Sequence, residues 1–165
     1  MDAQIVAAGP EHLGQVAAIY ADVARTSVST FDLDGPPLAY WQDKLTAAGV
    51  GDHFLVALTD EATVLGFAYS GWFRTRAAYS GTRETSIYLH HGARGQGVGR
   101  RLYDDLLARL RGDGIHLAVA VVAQPNPASV ALHEAVGFQL VGTFAEIGAK
   151  FGRYVDTRWY QLLLG

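Results

Sequence analysis

Apolar positions along the chain follow a helix period in some segments and a strand period in others. Helical stripes predict helices over 11–24, from Leu38 after Pro36-Pro37, over 97–111 and after Asn126. Runs of β-branched and aromatic residues predict strands over 4–8, 53–59, 63–73, 83–89, 116–122, 138–146 and 154–164. Strands and helices mixed in this order predict an α/β (α+β) fold.

Glycine, proline and asparagine mark the expected ends of the later helices. Asn126 is expected to cap a helix with Pro127 in its first position and Gly137 just past its end. Gly112 suits the C′ position of the helix before it. The segment 116–122 is apolar on both faces, which is typical of a central, covered strand.

Length and composition indicate one globular domain over 1–165. A domain of this size buries roughly 70% of the surface that its unfolded chain exposes. The net charge of −3 gives no general attraction for nucleic acid or anionic lipid. The longest apolar run, 117–123, is too short to cross a membrane, and no basic residue follows Met1 before Arg25. We therefore expect a cytoplasmic protein.

Cysteine is absent, which excludes disulfides, thiolate metal sites and an acyl-cysteine intermediate. A zinc protease helix is excluded because Gly137 stands where the second histidine of H-E-x-x-H would lie after His133. His90 and His91 are neighbours in a segment expected to be extended, so their side chains should point to opposite faces. We predict no metal.

A glycine-rich turn between a strand and a helix is the strongest chemical motif. Residues 94–99 read Arg-Gly-Gln-Gly-Val-Gly, and a helix N-terminus with such glycines suits a phosphate group. No Gly-Lys-Ser/Thr follows for a P-loop, and no complete G-x-G-x-x-G is present. The turn instead resembles the Arg-x-x-Gly-x-Gly signature of the GNAT superfamily of N-acetyltransferases.

Further segments extend the resemblance over nearly the whole chain from Ile19 onward. Residues 84–89, 124–138 and 150–156 look most like the phosphinothricin (methionine sulfoximine) acetyltransferase branch. The resemblance implies a bent mixed β-sheet flanked by helices, with strand 83–89 splayed from 116–122. It also implies acetyl-CoA as co-substrate and no metal. The implied acetyl-CoA contacts are Ile87, Tyr88, Leu89, Arg94, Gly95, Gln96, Gly97, Val98, Gly99, Arg100, Asn126 and Ser129.

The same resemblance implicates Glu84 and His133 in proton transfer, with the acid and base roles left undivided. Most of the superfamily has tyrosine where His133 stands. Asn126, Ser129 and His133 share one helix face by their spacing. An isolated helix histidine is more often a packed residue, and Glu84 could equally be a solvated charge at a strand start.

The acceptor site implied by the branch consists of Phe31, Arg74, Arg76 and Tyr79. Two arginines suit a zwitterionic substrate with a second polar or anionic head, although loop arginines are usually just solvated. The branch commonly has lysine where Arg74 stands, which puts the preferred amino acid in doubt.

Three functions stay open at this point. The first is acetylation of the α-amine of L-phosphinothricin, methionine sulfoximine, methionine sulfone or a similar analogue. The second is acetylation of a peptide N-terminus, polyamine or aminoglycoside, and the third is a CoA-binding sensor without catalysis. The resemblance also suggests a homodimer, and we expect no nucleic-acid or membrane partner.

Overall fold

The computed structural model describes residues 3–47 and 49–165. Seven strands form one mixed sheet, and their bounds are β1 (Gln4–Ala7), β2 (Phe54–Leu58), β3 (Val64–Trp72), β4 (Thr82–Leu89), β5 (Leu117–Ala123), β6 (Gln139–Lys150) and β7 (Arg153–Leu163). Their order in the sheet is β1-β2-β3-β4-β5-β7-β6. The pairs are antiparallel except β4 and β5, which run parallel. The predicted mixed sheet is confirmed.

Four helices cover the two faces of this sheet. They are α1 (Leu13–Thr26), α2 (Leu38–Thr46), α3 (Val98–Gly112) and α4 (Pro127–Ala135). Alternate residues of β2 point to opposite faces: Leu55 packs in the core with α3, and Val56 packs in the core with α1 and α2. The sheet therefore separates two cores. No helix in the described part of the chain is both long and apolar enough to cross a membrane.

The parallel pair at the centre of the sheet opens into a fork. β4 pairs with β5 only from Thr82–Leu117 to Glu84–Val119. Beyond Val119, β5 stays paired with β7 along its whole length, whereas β4 stays paired with β3. The predicted splay of these strands is confirmed, and it leaves a gap in the sheet just after Glu84.

Two element ends differ from the prediction for local reasons. Gly112 is the last residue of α3 rather than its C′ residue, because Gly114, with φ +74°, adopts the left-handed conformation. Strand β6 does not stop at Glu146, whose φ is +54°. The chain bulges there and then resumes pairing from Gly148 to Lys150. The second difference brings the end of β6 beside the cleft described below.

Candidate active site

The fork between β4 and β5 widens into a cleft of about 930 Å³. Its walls come from the loop after α1, the open half of β4, the turn into α3, the end of β5, α4 and the turn between β6 and β7. Its lining residues include Thr26, Ser29, Phe31, Glu84, Thr85, Ile87, Tyr88, Leu89, Arg94, Gly95, Gly97, Gly99, Arg100, Tyr103, Asn126, Ser129, His133, Phe151 and Arg153. A concave cleft of this volume is the usual form of a small-molecule site.

One end of the cleft is the N-terminus of α3. Gly95 and Gly97 have φ of +73° and +79°, and a Cβ on either would meet no atom within 4 Å. Their backbone is therefore open to a ligand, beside the unpaired N–H groups that begin a 15-residue helix. Arg94 and Arg100 also line this end. The geometry suits a phosphate or pyrophosphate.

Gly99 has a different reason to be glycine. A Cβ there would lie 3.0 Å from Leu132 and 3.3 Å from Leu89, so this glycine lets α3 approach α4 and β4. Val98 is buried in the core, and Gln96 donates to the Gly92 carbonyl at 2.6 Å. Neither side chain lines the cleft, so any contact they make with a ligand would come from their backbone.

The N-terminus of α4 faces the same cleft and is capped as predicted. The Asn126 side-chain oxygen accepts from the Ser129 N–H at 3.1 Å. The Asn126 amide group donates to the Ser29 hydroxyl at 3.2 Å. The cap therefore connects α4 to the loop after α1. Gly137 follows the helix with φ +104°, as its position predicted.

His133 lies on α4 at the back of the cleft and is only 3% exposed. Its Nε2 is 2.8 Å from the Tyr103 hydroxyl, and its Nδ1 is 2.7 Å from the Ser129 carbonyl. The rings of Tyr103, Phe138 and Tyr160 surround it at centroid distances of 5.1 to 5.9 Å. Burial lowers the pKa of the His133 imidazole, partly opposed by the bond to Ser129. The ring is therefore neutral at neutral pH.

Glu84 lies at the point where β4 and β5 separate, opposite Val119 on one side and Gly71 on the other. Burial raises the pKa of its carboxyl, while the positive charges of Arg74 and Lys44 oppose that change. A carboxyl with a raised pKa in a cleft is a candidate general base. The structure thus brings Glu84 and His133 to one cleft.

The acceptor wall predicted at Phe31 is part of the cleft and is held from two sides. The Tyr20 hydroxyl bonds the Thr30 hydroxyl at 2.7 Å and the Asp32 carboxylate at 2.6 Å. The buried Lys150 donates from Nζ to the backbone carbonyls of Thr30 and Asp32 at 2.7 and 2.8 Å. These bonds clamp the loop between α1 and the end of β6.

Phe31 itself packs on Gly148, the residue at which β6 resumes pairing after its bulge. A Cβ at position 148 would overlap the Phe31 ring. The absence of a side chain there sets how far the ring can swing away from the cleft. This contact joins residues 117 positions apart, and periodicity gave no signal for it.

Arg74, Arg76 and Tyr79 lie outside the residues that line the cleft. All three are exposed at the segment between β3 and β4. Arg74 donates to the Phe73 carbonyl at 2.7 Å and stacks on the Phe73 ring, which also contacts Tyr79. Their role in acceptor binding stays a prediction.

Several lining residues were not singled out from the sequence as site residues. The helical period over 97–111 indicates only a packing position for Tyr103, beside the apolar stripe, and Phe151 and Arg153 lie in the segment 150–156 that carries the resemblance. The structure places all three on the cleft. For Phe151 and Arg153 that resemblance was the available signal, whereas nothing in the helical period distinguishes Tyr103 from its apolar neighbours.

The prediction that His90 and His91 point to opposite faces is wrong. Residues His91–Ala93 form a turn of 3-10 helix, and the two imidazole rings lie 4.1 Å apart. The extended geometry assumed for them ends at Leu89. Across residues 3–47 and 49–165, no group of three or more His, Asp or Glu side chains could hold a metal ion.

Comparison with known proteins agrees with this geometry. The acetyltransferase (GNAT) family matches residues 17–138. The chain is 37% identical to a phosphinothricin N-acetyltransferase of Streptomyces coelicolor, covering 92% of this chain and 90% of that protein. It is 36% identical to an L-methionine sulfoximine/L-methionine sulfone acetyltransferase of Pseudomonas aeruginosa, covering 99% and 96%. A crystal structure of a phosphinothricin acetyltransferase from Sinorhizobium meliloti in complex with AcCoA superposes with a TM-score of 0.95 and 36% identity, covering 100% of this chain and 90% of that one. The chain belongs to the acetyltransferase (GNAT) family.

Proposed function

We propose that this protein is an acetyl-CoA-dependent N-acetyltransferase whose acceptor is the α-amine of a small amino acid analogue. L-Phosphinothricin, methionine sulfoximine and methionine sulfone are the acceptors we favour, because relatives named for them match 90% or more of this chain. The observation that carries the proposal is the cleft that runs from the fork after Glu84 to the N-terminus of α3. Acetyl-CoA carries its thioester at one end of a pantetheine arm and its pyrophosphate beyond the other end, so binding it requires such a path.

Donor binding uses backbone groups for the most part. The N–H groups from Gly95 to Arg100, including those of Gln96 and Val98, hold the pyrophosphate, with Arg94 and Arg100 adding positive charge. The arm of acetyl-CoA lies between β4 and β5 beside Ile87 and Leu89. Backbone N–H groups that the fork leaves without a partner strand polarise the thioester carbonyl, a contact often worth several kcal/mol.

Acetyl transfer requires a neutral amine. Glu84 takes a proton from the acceptor ammonium group, and the freed nitrogen forms a bond to the thioester carbon. The carbon–sulfur bond then breaks, the nitrogen loses its second proton, and the thiolate gains one. His133 assists the proton transfer to the thiolate. With no cysteine in the chain, no acyl-cysteine intermediate is involved.

Phe31 and the clamped loop around it form the acceptor wall. Arg74, Arg76 and Tyr79 are proposed to bind the polar or anionic head of the acceptor as it enters, since the positive charge of Arg74 already acts on Glu84. The rival acceptors are a peptide N-terminus, a polyamine or an aminoglycoside. Those cationic acceptors would favour an acidic groove in place of two arginines.

A panel assay tests the proposal. The protein is incubated with acetyl-CoA and methionine sulfone, phosphinothricin, ordinary amino acids, peptides, polyamines and an aminoglycoside, while free thiol and acceptor mass are followed. Selective acetylation of the first two acceptors is expected. Turnover only on peptides or polyamines would replace the acceptor proposal, and acetyl-CoA binding without any turnover would identify a sensor.

Substitution of the two proposed proton-transfer residues tests their roles. Glu84→Gln and His133→Gln should each lower kcat by about 10²- to 10⁴-fold, the usual range for acid–base groups, and leave acetyl-CoA affinity near that of the wild type. Glu134→Gln is the matched control because Glu134 is exposed on α4 next to His133. A kcat close to wild type in both variants would remove the proton-transfer assignment.

We also propose a homodimer that forms through β6. This strand lies at the edge of the sheet and exposes Leu140, Val141, Phe144 and Ile147, each by more than half. Exposed apolar edges of this kind favour association. Light scattering should give twice the chain mass, and Val141→Lys with Ile147→Lys should give a monomer. Val50→Lys, at another exposed apolar residue, should stay dimeric. A monomeric wild type would contradict the proposal.

A further inference from the structure

A row of hydrogen-bonded side chains crosses the wall of the cleft from the fork to α4. The Thr85 hydroxyl is 3.3 Å from the Val119 carbonyl and 3.2 Å from the Tyr103 hydroxyl. The Tyr103 hydroxyl is 2.8 Å from His133 Nε2. His133 Nδ1 is 2.7 Å from the Ser129 carbonyl and 3.3 Å from the Ser129 hydroxyl. Tyr103 stands at the middle of this row and is fully buried.

The chemistry of these groups fixes the direction of the bonds. A carbonyl oxygen can only accept, so the short contact to Ser129 places a hydrogen on His133 Nδ1. A neutral imidazole then has a lone pair on Nε2, and the Tyr103 hydroxyl donates to it. The neutral state fits the surroundings, because the rings in contact with His133 are those of Tyr103, Phe138 and Tyr160. Among the described residues, no carboxylate contacts this ring.

Thr85 connects this pair to the fork. The register of β4 and β5 ends at Glu84 opposite Val119, and the next residue of β4 is Thr85. Its hydroxyl lies within bonding distance of both the Val119 carbonyl and Tyr103. Tyr103 therefore links α4 to the point in the sheet where the strands separate.

We propose that Tyr103 is a positioning residue that holds the neutral His133 ring in one orientation by donating from its hydroxyl to Nε2. This inference rests on the proposed acetyl transfer. Both ring nitrogens of His133 have internal partners, because the Ser129 carbonyl accepts from Nδ1 and the Tyr103 hydroxyl donates to Nε2. The two bonds together fix the orientation of the ring beside the cleft, and Tyr103 supplies the one at Nε2.

The tautomer is tested by ¹⁵N NMR of the labelled protein without substrate. His133→Gln identifies the His133 signals by their loss. The wild type should show a protonated Nδ1 and an unprotonated Nε2 that accepts a hydrogen bond. Tyr103→Phe should keep the proton on Nδ1, because the Ser129 carbonyl remains, but its Nε2 signal should shift because the donor to this nitrogen is lost. Tyr160→Phe is the matched control, because Tyr160 also stacks on His133 but its buried hydroxyl has no hydrogen-bond partner among the described residues. It should keep the wild-type pattern.

Steady-state kinetics test whether the hydrogen bond between Tyr103 and His133 affects turnover. Tyr103→Phe should lower kcat by about 10- to 100-fold, as loss of an orienting partner usually does, with KM for acetyl-CoA within about twofold. Tyr160→Phe should keep kcat near wild type. Wild-type kcat in Tyr103→Phe, or an Nε2–H tautomer in the wild type, would overturn the inference.

The two proposals fail in different ways. If the wild type transfers no acetyl group to any acceptor, the proposed function fails, while the NMR result still decides the tautomer. If the wild type is active and Tyr103→Phe matches it in kcat and in its ¹⁵N pattern, only the role of Tyr103 fails. Thermal unfolding of both phenylalanine variants shows whether each is folded.

Discussion

The two ends of the cleft are built in different ways. The proposed donor end consists mainly of backbone, from the segment Arg94–Arg100 and from the start of α4. The proposed acceptor end consists of side chains from the loop after α1, from β4 and from the turn between β6 and β7. Phe31 and Gly148 meet there although they are far apart in the chain.

This difference has a physical consequence. A helix N-terminus binds phosphate through groups that every residue has, so the donor end depends on backbone conformation rather than on side-chain identity. The acceptor end depends on which side chains tertiary packing brings together. Substitutions at the donor end should affect all acceptors equally, whereas substitutions at the acceptor end should change the preference among them.

Among substitutions that distinguish the two ends of the cleft, the largest effect is expected at Gly97, which caps α3 with φ +79°. Gly97→Ala should raise KM for acetyl-CoA about tenfold or more, by the same factor with every acceptor, because a left-handed alanine costs about 1–2 kcal/mol. Gly112→Ala at the other end of α3 is the control, since a Cβ there meets nothing within 4 Å. An effect that varied with the acceptor would contradict the separation of the two ends.

The next largest effect is expected from the arginines near the acceptor end. Arg153 lines the cleft, and Arg76 does not. Because we propose that Arg76 helps to bind the head of the acceptor, Arg76→Ala should raise the acceptor KM about tenfold, as a lost bond to a charged group does. Arg153→Ala should have a smaller effect. Steady-state kinetics with phosphinothricin give both values, and a larger effect of Arg153→Ala would move the proposed contact from Arg76 to Arg153.

Loss of the clamp on the acceptor loop should have an intermediate effect. Lys150→Met removes the two bonds from Nζ to the carbonyls of Thr30 and Asp32. We expect about 1–3 kcal/mol less stability and a higher acceptor KM, with KM for acetyl-CoA nearly unchanged. Denaturant unfolding and kinetics measure the two parts. Lys150→Arg keeps the charge and should recover part of the loss.

A smaller effect is expected at Gly148. Gly148→Ala forces the Phe31 ring to move. We therefore expect the acceptor KM to change several-fold, which corresponds to less than about 1.4 kcal/mol of binding free energy. Gly142→Ala on the same strand is the control, because its Cβ would meet nothing within 4 Å. Equal kinetics in the two variants would show that Phe31 does not touch the acceptor.

The smallest expected effect is on how the stability of the folded protein changes with pH. The pKa of His133 is below its ordinary 6.5, so above pH 6.5 the ring is neutral in both folded and unfolded states. Below pH 6.5 the unfolded chain takes up a proton that the folded ring refuses, and stability falls. The unfolding temperature of the wild type should therefore drop more between pH 6.5 and pH 5 than that of His133→Gln. Parallel curves would contradict a buried neutral ring.

Glu84 should act with the opposite sign. Its pKa is above its ordinary 4.5, so the folded carboxyl keeps a proton that the unfolded one has lost. Stability from this group therefore decreases as pH rises through its folded pKa. Glu84→Gln should remove that decrease, which separates the two groups in the same unfolding experiment.

The sequence predicted most elements because local patterns decide them. The stripe through Leu102 and Leu106 fixed α3, and Asn126 with Pro127 fixed the start of α4. It failed where two local solutions compete. Gly112 and Gly114 can both end a helix, and it is Gly114 that adopts the left-handed conformation after α3. His90 and His91 could extend the strand or turn, and the chain turns into a 3-10 helix.

The sequence by itself determined the glycine-rich end of the cleft, which we propose as the donor end, because its glycines, its arginines and the start of α3 are neighbours in the chain. Tertiary structure decided the acceptor wall and the surroundings of His133. The contacts of Lys150 with Thr30, and of Tyr103 with His133, join distant segments. Periodicity reports which face of a helix is buried, but not which hydroxyl or carbonyl meets it there. The neutral state of the His133 ring and the hydrogen bonds at both of its nitrogens follow from these contacts.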